Sequence, residues 1–183
     1  MRILALSGSL REHSYNSAVA RAAAELAPAG AAVEVYDRLR DVPLYDADLD
    51  GDERPHAVAA LADAIVAADA LLVVTPEYNG SVPGVLKNAI DWMSRPAGGG
   101  ALRGKATAVA GATTGQYGAL WAQQDLRRIL GIAGARVTPG ELPIARAQHV
   151  FDESLRLRDP LVAERLRKHV EALVAEADVP LAA

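Results

Sequence analysis

The sequence predicts an α/β fold in which a parallel sheet is covered by helices on both faces, and three observations carry that prediction. Strand-length apolar runs and helix-length segments alternate about five times along the chain, the order that a parallel sheet with crossover helices requires. One run, "ALLVVT" at residues 70–75, is apolar almost without interruption, as a strand buried on both faces must be. Three loops, residues 7–14, 76–82 and 113–118, hold the most unusual residue combinations in the chain. Each would leave the carboxyl end of a strand, where open parallel sheets bind their ligands.

The elements follow in order. Residues 2–6 are a short apolar run ending in Ser-Gly-Ser, a strand feeding a loop. Residues 14–27 are rich in helix formers, with Val19, Ala23 and Leu26 near one face, and Pro28 and Gly30 stop them. "AVEVY" at 32–36 alternates apolar and polar residues and reads as a strand. Residues 37–54 are full of turn formers and read as a long loop, after which Pro55 opens a second helix that runs through Ala67. Beyond the strand at 70–75, Pro83 starts a third helix reaching about Arg95, and "RPAGGG" breaks the chain. Residues 106–112 make another buried strand, 119–131 a helix and 135–142 a weaker strand. The last helix covers 159–177, with an apolar stripe of Leu161, Val162, Leu166, Val170, Leu173 and Val174, and the final residues read as a loose tail. No repeat, linker or low-complexity tract interrupts the pattern, so one domain over residues 1–183 is expected.

At 183 residues, 51% of them hydrophobic, the chain is long enough to bury a core. Its formal charge of −4 is spread along the sequence with no basic stripe or tail, which argues against nucleic acid as a partner. The lack of cysteine removes disulfides, thiol nucleophiles and thiolate metal sites together, and no metal site is expected. The N-terminal "MRILALSGS" does not have the form of a secretory signal. No apolar run approaches the length of a membrane span. The expectation is a soluble, cytoplasmic protein with no membrane partner.

The first loop lacks both the G-x-G-x-x-G fingerprint and the Gly-Lys-Ser/Thr ending of a Walker loop. It does carry hydroxyls at Ser7, Ser9, Ser14 and Ser17, the amide of Asn16, the guanidinium of Arg11 and a glycine. A helix begins there, and its first N–H groups are unpaired and partly positive. Two readings fit. One is a phosphate cradle, in which N–H groups, hydroxyls and Arg11 meet an anion. The other is plain capping, in which Ser14 or Ser9 closes the helix and Arg11 lies in solvent.

The second loop and the helix after it read "TPEYNGSVPGVLKNAIDWMSRP", residues 75–96. With the first loop, this stretch resembles the NADPH-dependent FMN reductases, a family that includes quinone and chromate reductases and some azoreductases. The family's Gly-Ser-x-Arg-x-x-Ser-x-Asn loop is matched by Gly8, Ser9, Arg11, Ser14 and Asn16. Its Pro-Glu-Tyr-Asn-x-Ser-x-Pro-x-x-Leu-Lys-Asn-Ala-Ile-Asp-Trp run is matched from Pro76 to Trp92. "VPLYDADL" at 42–49 and "RAQHVFDESLRLRDP" near the C-terminus are similar too. The resemblance implies a flavodoxin-like three-layer sandwich with a five-stranded parallel sheet, FMN as cofactor and NADPH or NADH as reductant. It also implies a homodimer or homotetramer. By position, Ser9, Arg11, Ser14, Asn16 and Ser17 would hold the FMN phosphate. Pro76, Glu77, Tyr78, Asn79 and Gly80 would line the ribityl chain and ring edge, and Thr113, Thr114, Gly115 and Gln116 would approach the pyrimidine end. The third loop departs from the family pattern: Ala119 replaces a glycine, and Trp121 stands where an arginine is usual.

On this reading the flavin carries the hydride and no side chain is needed as a general base. Tyr78, Tyr117 and Trp121 would wall the pocket for a small-molecule electron acceptor. Glu77 has two readings, a flavin contact or an anchor for its loop; Tyr78 packs either on the ring edge or across a subunit boundary. His13 is read as exposed, His149 as a loop residue and His169 as a helix-surface residue. In the third helix Leu86, Ile90 and Met93, flanked by Val85, Ala89 and Trp92, span an apolar arc wider than the usual ~100°. That width fits deep burial, or a sheet on one flank and a second subunit on the other. The function expected is hydride transfer from NAD(P)H through FMN to quinones, chromate, azo compounds or free flavin. A flavin reductase serving a monooxygenase and a flavodoxin-type electron carrier are the rivals.

Overall fold

The computed structural model describes residues 1–51, 53–96 and 99–180. Residues 181–183 of the expected tail, two residues of the 95–100 break and Asp52 lie outside the described residues. Among the described residues there are six strands: β1 (Arg2–Ser7), β2 (Ala32–Tyr36), β3 (Ala70–Thr75), β4 (Ala106–Ala112), β5 (Arg136–Val137) and β6 (Leu142–Ile144). The helices are α1 (Tyr15–Glu25), α2 (His56–Ala67), α3 (Gly84–Met93), α4 (Leu120–Ile132), α5 (Ala147–Val150) and α6 (Pro160–Ala177). Across the sheet the order is β2-β1-β3-β4-β5, with β6 also paired to β4, and every pairing is parallel. This is the flavodoxin-like order, whose topological switch point lies between β1 and β3.

The strands sort their side chains with period two, as pleating demands. Ile3 and Ala5 of β1, Ala70, Leu72 and Val74 of β3, and four alanines of β4 join α1 and α6 in one core. Leu4, Leu6, Leu71, Val73 and Val109 point the other way and join α2, α3 and α4 in a second. On β4 the first face is made only of Ala106, Ala108, Ala110 and Ala112, all buried. Side chains that small leave room over β4 for the larger apolar residues of α1 and α6, among them Val19, Leu166 and Val170.

The expected strand at 135–142 is in fact two pieces. β5 pairs with β4 at Ala106 and Thr107, and β6 pairs with it at Ala110 to Ala112. Between them Arg127 of α4 donates to the carbonyls of Thr138 and Gly140 and pairs with Glu141 at 3.2 Å. The chain is thereby bent out of the ladder. Thr107 O still accepts from Thr138 N at 2.9 Å, and Val109 O, two residues on, faces the gap on the same side. His169 of α6 fills the gap, its Nε2 lying 2.9 Å from Val109 O. A carbonyl only accepts, so Nε2 carries the proton. Burial pushes the imidazole below its ordinary pKa, against the pull of that hydrogen bond in the other direction. His169 is therefore not the surface residue expected from its helix position.

Three further expectations need correction. Leu161 is 76% exposed, so the stripe that packs α6 is Val162, Leu166, Val170 and Leu173, with Val174 partly buried beside them. Residues 37–54 contain two short 3-10 turns, Leu39–Asp41 and Ala47–Leu49, and Leu39 and Val42 are buried. A strap then forms against α3: Asn88 Oδ1 accepts from Tyr45 N at 2.7 Å, and Asn88 Nδ2 and Trp92 Nε1 both donate to Pro43 O, at 2.7 and 2.9 Å. Trp92 is fully buried and meets Tyr45 edge-on, with centroids 4.9 Å apart. The second flank of the wide apolar arc on α3 is thus covered at Trp92 by the chain's own strap, which accounts for that breadth without a second subunit.

Candidate active site

The three loops meet at the carboxyl rim of the sheet, around a cavity of about 170 Å³. Its walls are Ser9, Arg11, Ser14, Tyr15 and Asn16 from the first loop and α1, Pro76 to Tyr78 from the second, and Ala112 to Thr114 from the third. It sits over β1, β3 and β4, beside the switch point of the sheet.

Ser14 caps α1: its Oγ accepts from Asn16 N at 3.2 Å and Ser17 N at 3.3 Å. The capping reading of the first loop is therefore realised. It does not compete with anion binding, because a hydroxyl that accepts two N–H groups still has its own proton to donate. Arg11 is exposed, and among the described residues its guanidinium has no carboxylate within salt-bridge distance. The cradle chemistry is in place: hydroxyls, one unpaired guanidinium and a helix N-terminus around one cavity. These are the donors that a phosphate monoester requires, so the residues present fit the phosphate end of FMN.

The second loop is stapled to α4. Asn79 and Gly80 both have positive φ, +53° and +75°, and Tyr78 and Ser81 exchange N–H···O bonds of 3.1 Å across them. This is a two-residue type I′ hairpin, which requires Asn-Gly or its equivalent. Ser81 Oγ donates to Asp125 at 2.8 Å. Glu77 Oε2 accepts from Ala122 N at 3.2 Å, in the first turn of α4, where Ala119 offers no side-chain cap. A carboxylate there is favoured by the helix dipole. The structure thus gives Glu77 the loop-anchor role.

The third loop is braced from behind and open in front. Thr113 N donates to Ile144 O, Ala147 N to Thr113 O, and Arg146 N to Gly115 O, at 2.9 to 3.1 Å. Among the described residues the N–H groups of Thr114, Gly115 and Gln116 have no partner, and all three residues are exposed. Gly118, at φ +59°, closes the loop. A Cβ there would lie 2.6 Å from Ile144 N, so only glycine lets the loop rest on β6.

The sequence profile of the family described as NADPH-dependent FMN reductase matches residues 1–149. The chain belongs to the NADPH-dependent FMN reductase family. Among its relatives is the NAD(P)H-dependent FMN reductase PA1204 of Pseudomonas aeruginosa, 42% identical over 174 residues, which are 94% of this chain and 93% of the relative. The quinone reductase of Escherichia coli K12 is 44% identical over 142 residues, 75% of this chain and 73% of that one. Among solved structures, the flavoenzyme FerB, an NAD(P)H:(acceptor) oxidoreductase from Paracoccus denitrificans, superposes with a TM-score of 0.87 at 34% identity over 97% of each chain.

In this FMN reductase the fourteen site residues expected from the sequence divide into two groups. Ser9, Arg11, Ser14, Asn16, Pro76, Glu77, Tyr78, Thr113 and Thr114 line the cavity. Ser17, Asn79, Gly80, Gly115 and Gln116 do not. Ser17 Oγ instead pairs with Ser7 Oγ at 3.0 Å, and Asn79 and Gly80 are the turn itself. Asn16 lines the cavity, but its amide is spent elsewhere: Nδ2 donates to Ala112 O at 3.0 Å, and Oδ1 accepts from Ala112 N at 2.9 Å. It latches the start of α1 to the end of β4. The sequence reading missed Tyr15 and Ala112 as wall residues. Tyr15 follows directly on Ser14, so its position at the first turn of α1 was the signal that could have found it.

Proposed function

We propose that this chain is an FMN-dependent NAD(P)H oxidoreductase that reduces quinones or similar small acceptors, with chromate, azo compounds and free flavin in the same class. The observation that carries the reading is the cavity between the three loops, lined by the phosphate-type donors of the first loop and by Thr114 of the third, whose N–H has no partner among the described residues. FMN, when bound, would supply the redox chemistry between NAD(P)H and the acceptor. The chain binds and orients. Ser9, Ser14, Arg11 and the N-terminus of α1 would hold the phosphate, and Pro76, Glu77 and Tyr78 would border the rest of the cofactor. The N–H groups of Thr114 to Gln116 stand ready for the negative charge that builds at the pyrimidine edge. Tyr78, Tyr117 and Trp121 are each about half exposed, and the last two rings meet at a tilt of 49°, with centroids 4.8 Å apart. They offer flat apolar contact to an aromatic acceptor.

The test is direct. The purified protein should retain FMN, prefer it to riboflavin, and oxidise NAD(P)H with a quinone and no partner protein. Loss of FMN on a column would favour a flavin reductase; a need for a partner protein would favour an electron carrier. Arg11→Ala isolates the phosphate end. A hydrogen bond to a charged group contributes roughly 1.5–3 kcal/mol, so FMN affinity should fall about tenfold to a hundredfold while riboflavin affinity barely changes. Fluorescence titration of the apoprotein with both flavins reads this, and equal FMN binding by the variant removes Arg11 from the cradle.

The reading includes one domain over the whole chain, a cytoplasmic setting, and assembly into a homodimer or homotetramer. Among the described residues no helix is long and apolar enough to cross a membrane. Assembly is supported by a groove of about 440 Å³ between α3 and α4, where Ile90, Ile129 and Ile132 stand among Lys87, Asp91 and Arg128. Ile132 is 77% exposed. Ile132→Glu should shift the sedimenting species towards monomer, whereas a wild-type chain that is monomeric at every concentration defeats the proposal.

A further inference from the structure

Gln123 of α4 is a polar side chain with no exposed surface, packed against β4 at Gly111. Its amide is committed to two backbone groups: Nε2 donates to Gly118 O at 2.8 Å, and Oε1 accepts from Leu142 N at 2.9 Å. Room for it is made on β4, where a Cβ on Gly111 would lie 2.9 Å from Nε2 and 2.8 Å from the Cβ of Ala119. A glycine inside a strand weakens it and marks a close approach. An apolar residue of the same size would fill the space if packing were the only demand, since a buried amide is tolerated only when it is paired.

The two bonds sit where the third loop is fixed. Gly118 and Ala119 are both left-handed, at φ +59° and +60°. For a residue with a Cβ that backbone is unfavourable, and it persists only where the surroundings hold it. Gln123 holds it twice. Nε2 pins the peptide unit that joins the two residues, through Gly118 O, and Gln123 N donates to Ala119 O at 3.0 Å. The other side-chain bond secures Leu142, the first residue of β6. β6 in turn carries the far end of the loop: Ile144 O accepts from Thr113 N at 3.1 Å, and the backbone of Gly118 rests against Ile144 N. One side chain thus ties the start of the loop, its end and β6 into a unit. The N–H groups of Thr114, Gly115 and Gln116, between those ends, have no partner among the described residues.

We propose that Gln123 is a positioning residue for the redox chemistry: by fixing the third loop it aims the N–H groups of Thr114 to Gln116 at the pyrimidine edge of FMN, and so raises the cofactor's reduction potential. The proposal rests on the reading that FMN fills the first cavity. Two-electron reduction leaves negative charge at that edge, and donors held in place beforehand stabilise it without reorganisation. A loop free to drift would serve oxidised FMN almost as well, because the phosphate end is held by the first loop, and reduced FMN less well. Gln123 does not line the cavity and acts only through the loop.

The experiment compares FMN-loaded wild type with Gln123→Met and Gln123→Leu. Both remove the two side-chain hydrogen bonds at similar volume, and methionine adapts to irregular space, so it answers the question if the leucine variant does not fold. The midpoint potential of bound FMN is read spectroscopically against a reference dye. Hydrogen exchange of the apoprotein reads the amides of Thr113, Arg146 and Ala147, all of which belong to the brace. In the variants the affinity for reduced FMN relative to oxidised should fall about tenfold, as a weakened hydrogen bond to a charged group implies. For a two-electron couple that lowers the potential by about 30 mV. The three amides should lose protection relative to those of β1. Trp92→Ala, destabilised in another part of the fold, should keep the wild-type potential. A variant that binds FMN at the wild-type potential overturns the proposal, even if its amides exchange faster, because the glutamine is then structural only. An equal drop in Trp92→Ala overturns it as well, by assigning the shift to lost stability. A wild-type chain that does not bind FMN sinks the cofactor reading and the proposal with it, whereas one that binds FMN and shows no shift in the variants sinks the proposal alone.

Discussion

Asn16→Leu is expected to cost the apoprotein roughly 2–6 kcal/mol of stability, because it strips the partner from two buried backbone groups at about 1–3 kcal/mol each. Those groups are the N–H and C=O of Ala112, at the end of β4. Leucine has a similar volume, so the cost comes from polar groups left unpaired and not from a cavity. Set against a net stability of about 5–15 kcal/mol, the loss is large. FMN affinity should fall with it, since the latch holds the first and third loops at their common spacing. Arg11→Ala makes the contrast: it should bind FMN more weakly and keep its stability, because Arg11 is exposed. Urea unfolding of the apoprotein measures the difference, and a loss below about 1 kcal/mol would show that water replaces the amide without penalty.

Trp92→Ala should destabilise the fold by about 3–5 kcal/mol, the usual cost of emptying a fully buried tryptophan site. The indole has no exposed surface, fills the space between α3 and the 42–45 strap, and donates to Pro43 O. That carbonyl keeps Asn88 Nδ2 as a second donor, so the loss is one of packing more than of hydrogen bonding. The strap should loosen, because Tyr45 loses the ring it meets edge-on. The expected signature is a lower unfolding midpoint at every protein concentration. A change that appears only where the protein associates would return Trp92 to a subunit interface.

The layered fold was legible in the sequence because burial writes its period there. Ile3, Leu4, Ala5 and Leu6 alternate between two cores, so the run is apolar throughout, and its short length and the Ser-Gly-Ser after it mark it as a strand. The broken fifth strand was not legible, because its cause lies in another element: Arg127 of α4 holds residues 138–141 away from β4. The site was legible by location more than by role. A polar residue beside a loop can face a ligand or a backbone group, and its neighbours in the sequence do not decide which. Asn16 faces Ala112, Glu77 faces Ala122, and Asn79 turns a hairpin.

The broken strand also bears on what the molecule avoids. A sheet edge with free N–H and C=O groups is a template on which another chain can add a strand, and proteins guard such edges with short strands, kinks and charge. Here one edge is divided into a two-residue and a three-residue strand, and the carbonyl exposed by the break is already taken by His169. The opposite edge, β2, is continuous but carries Glu34, ion-paired with Arg2 of its neighbour strand and largely exposed. An incoming strand would meet an interrupted ladder on one side and a charge on the other. Growth of the sheet into a fibril is hindered at both ends, and the faces left for orderly association are those of the helices.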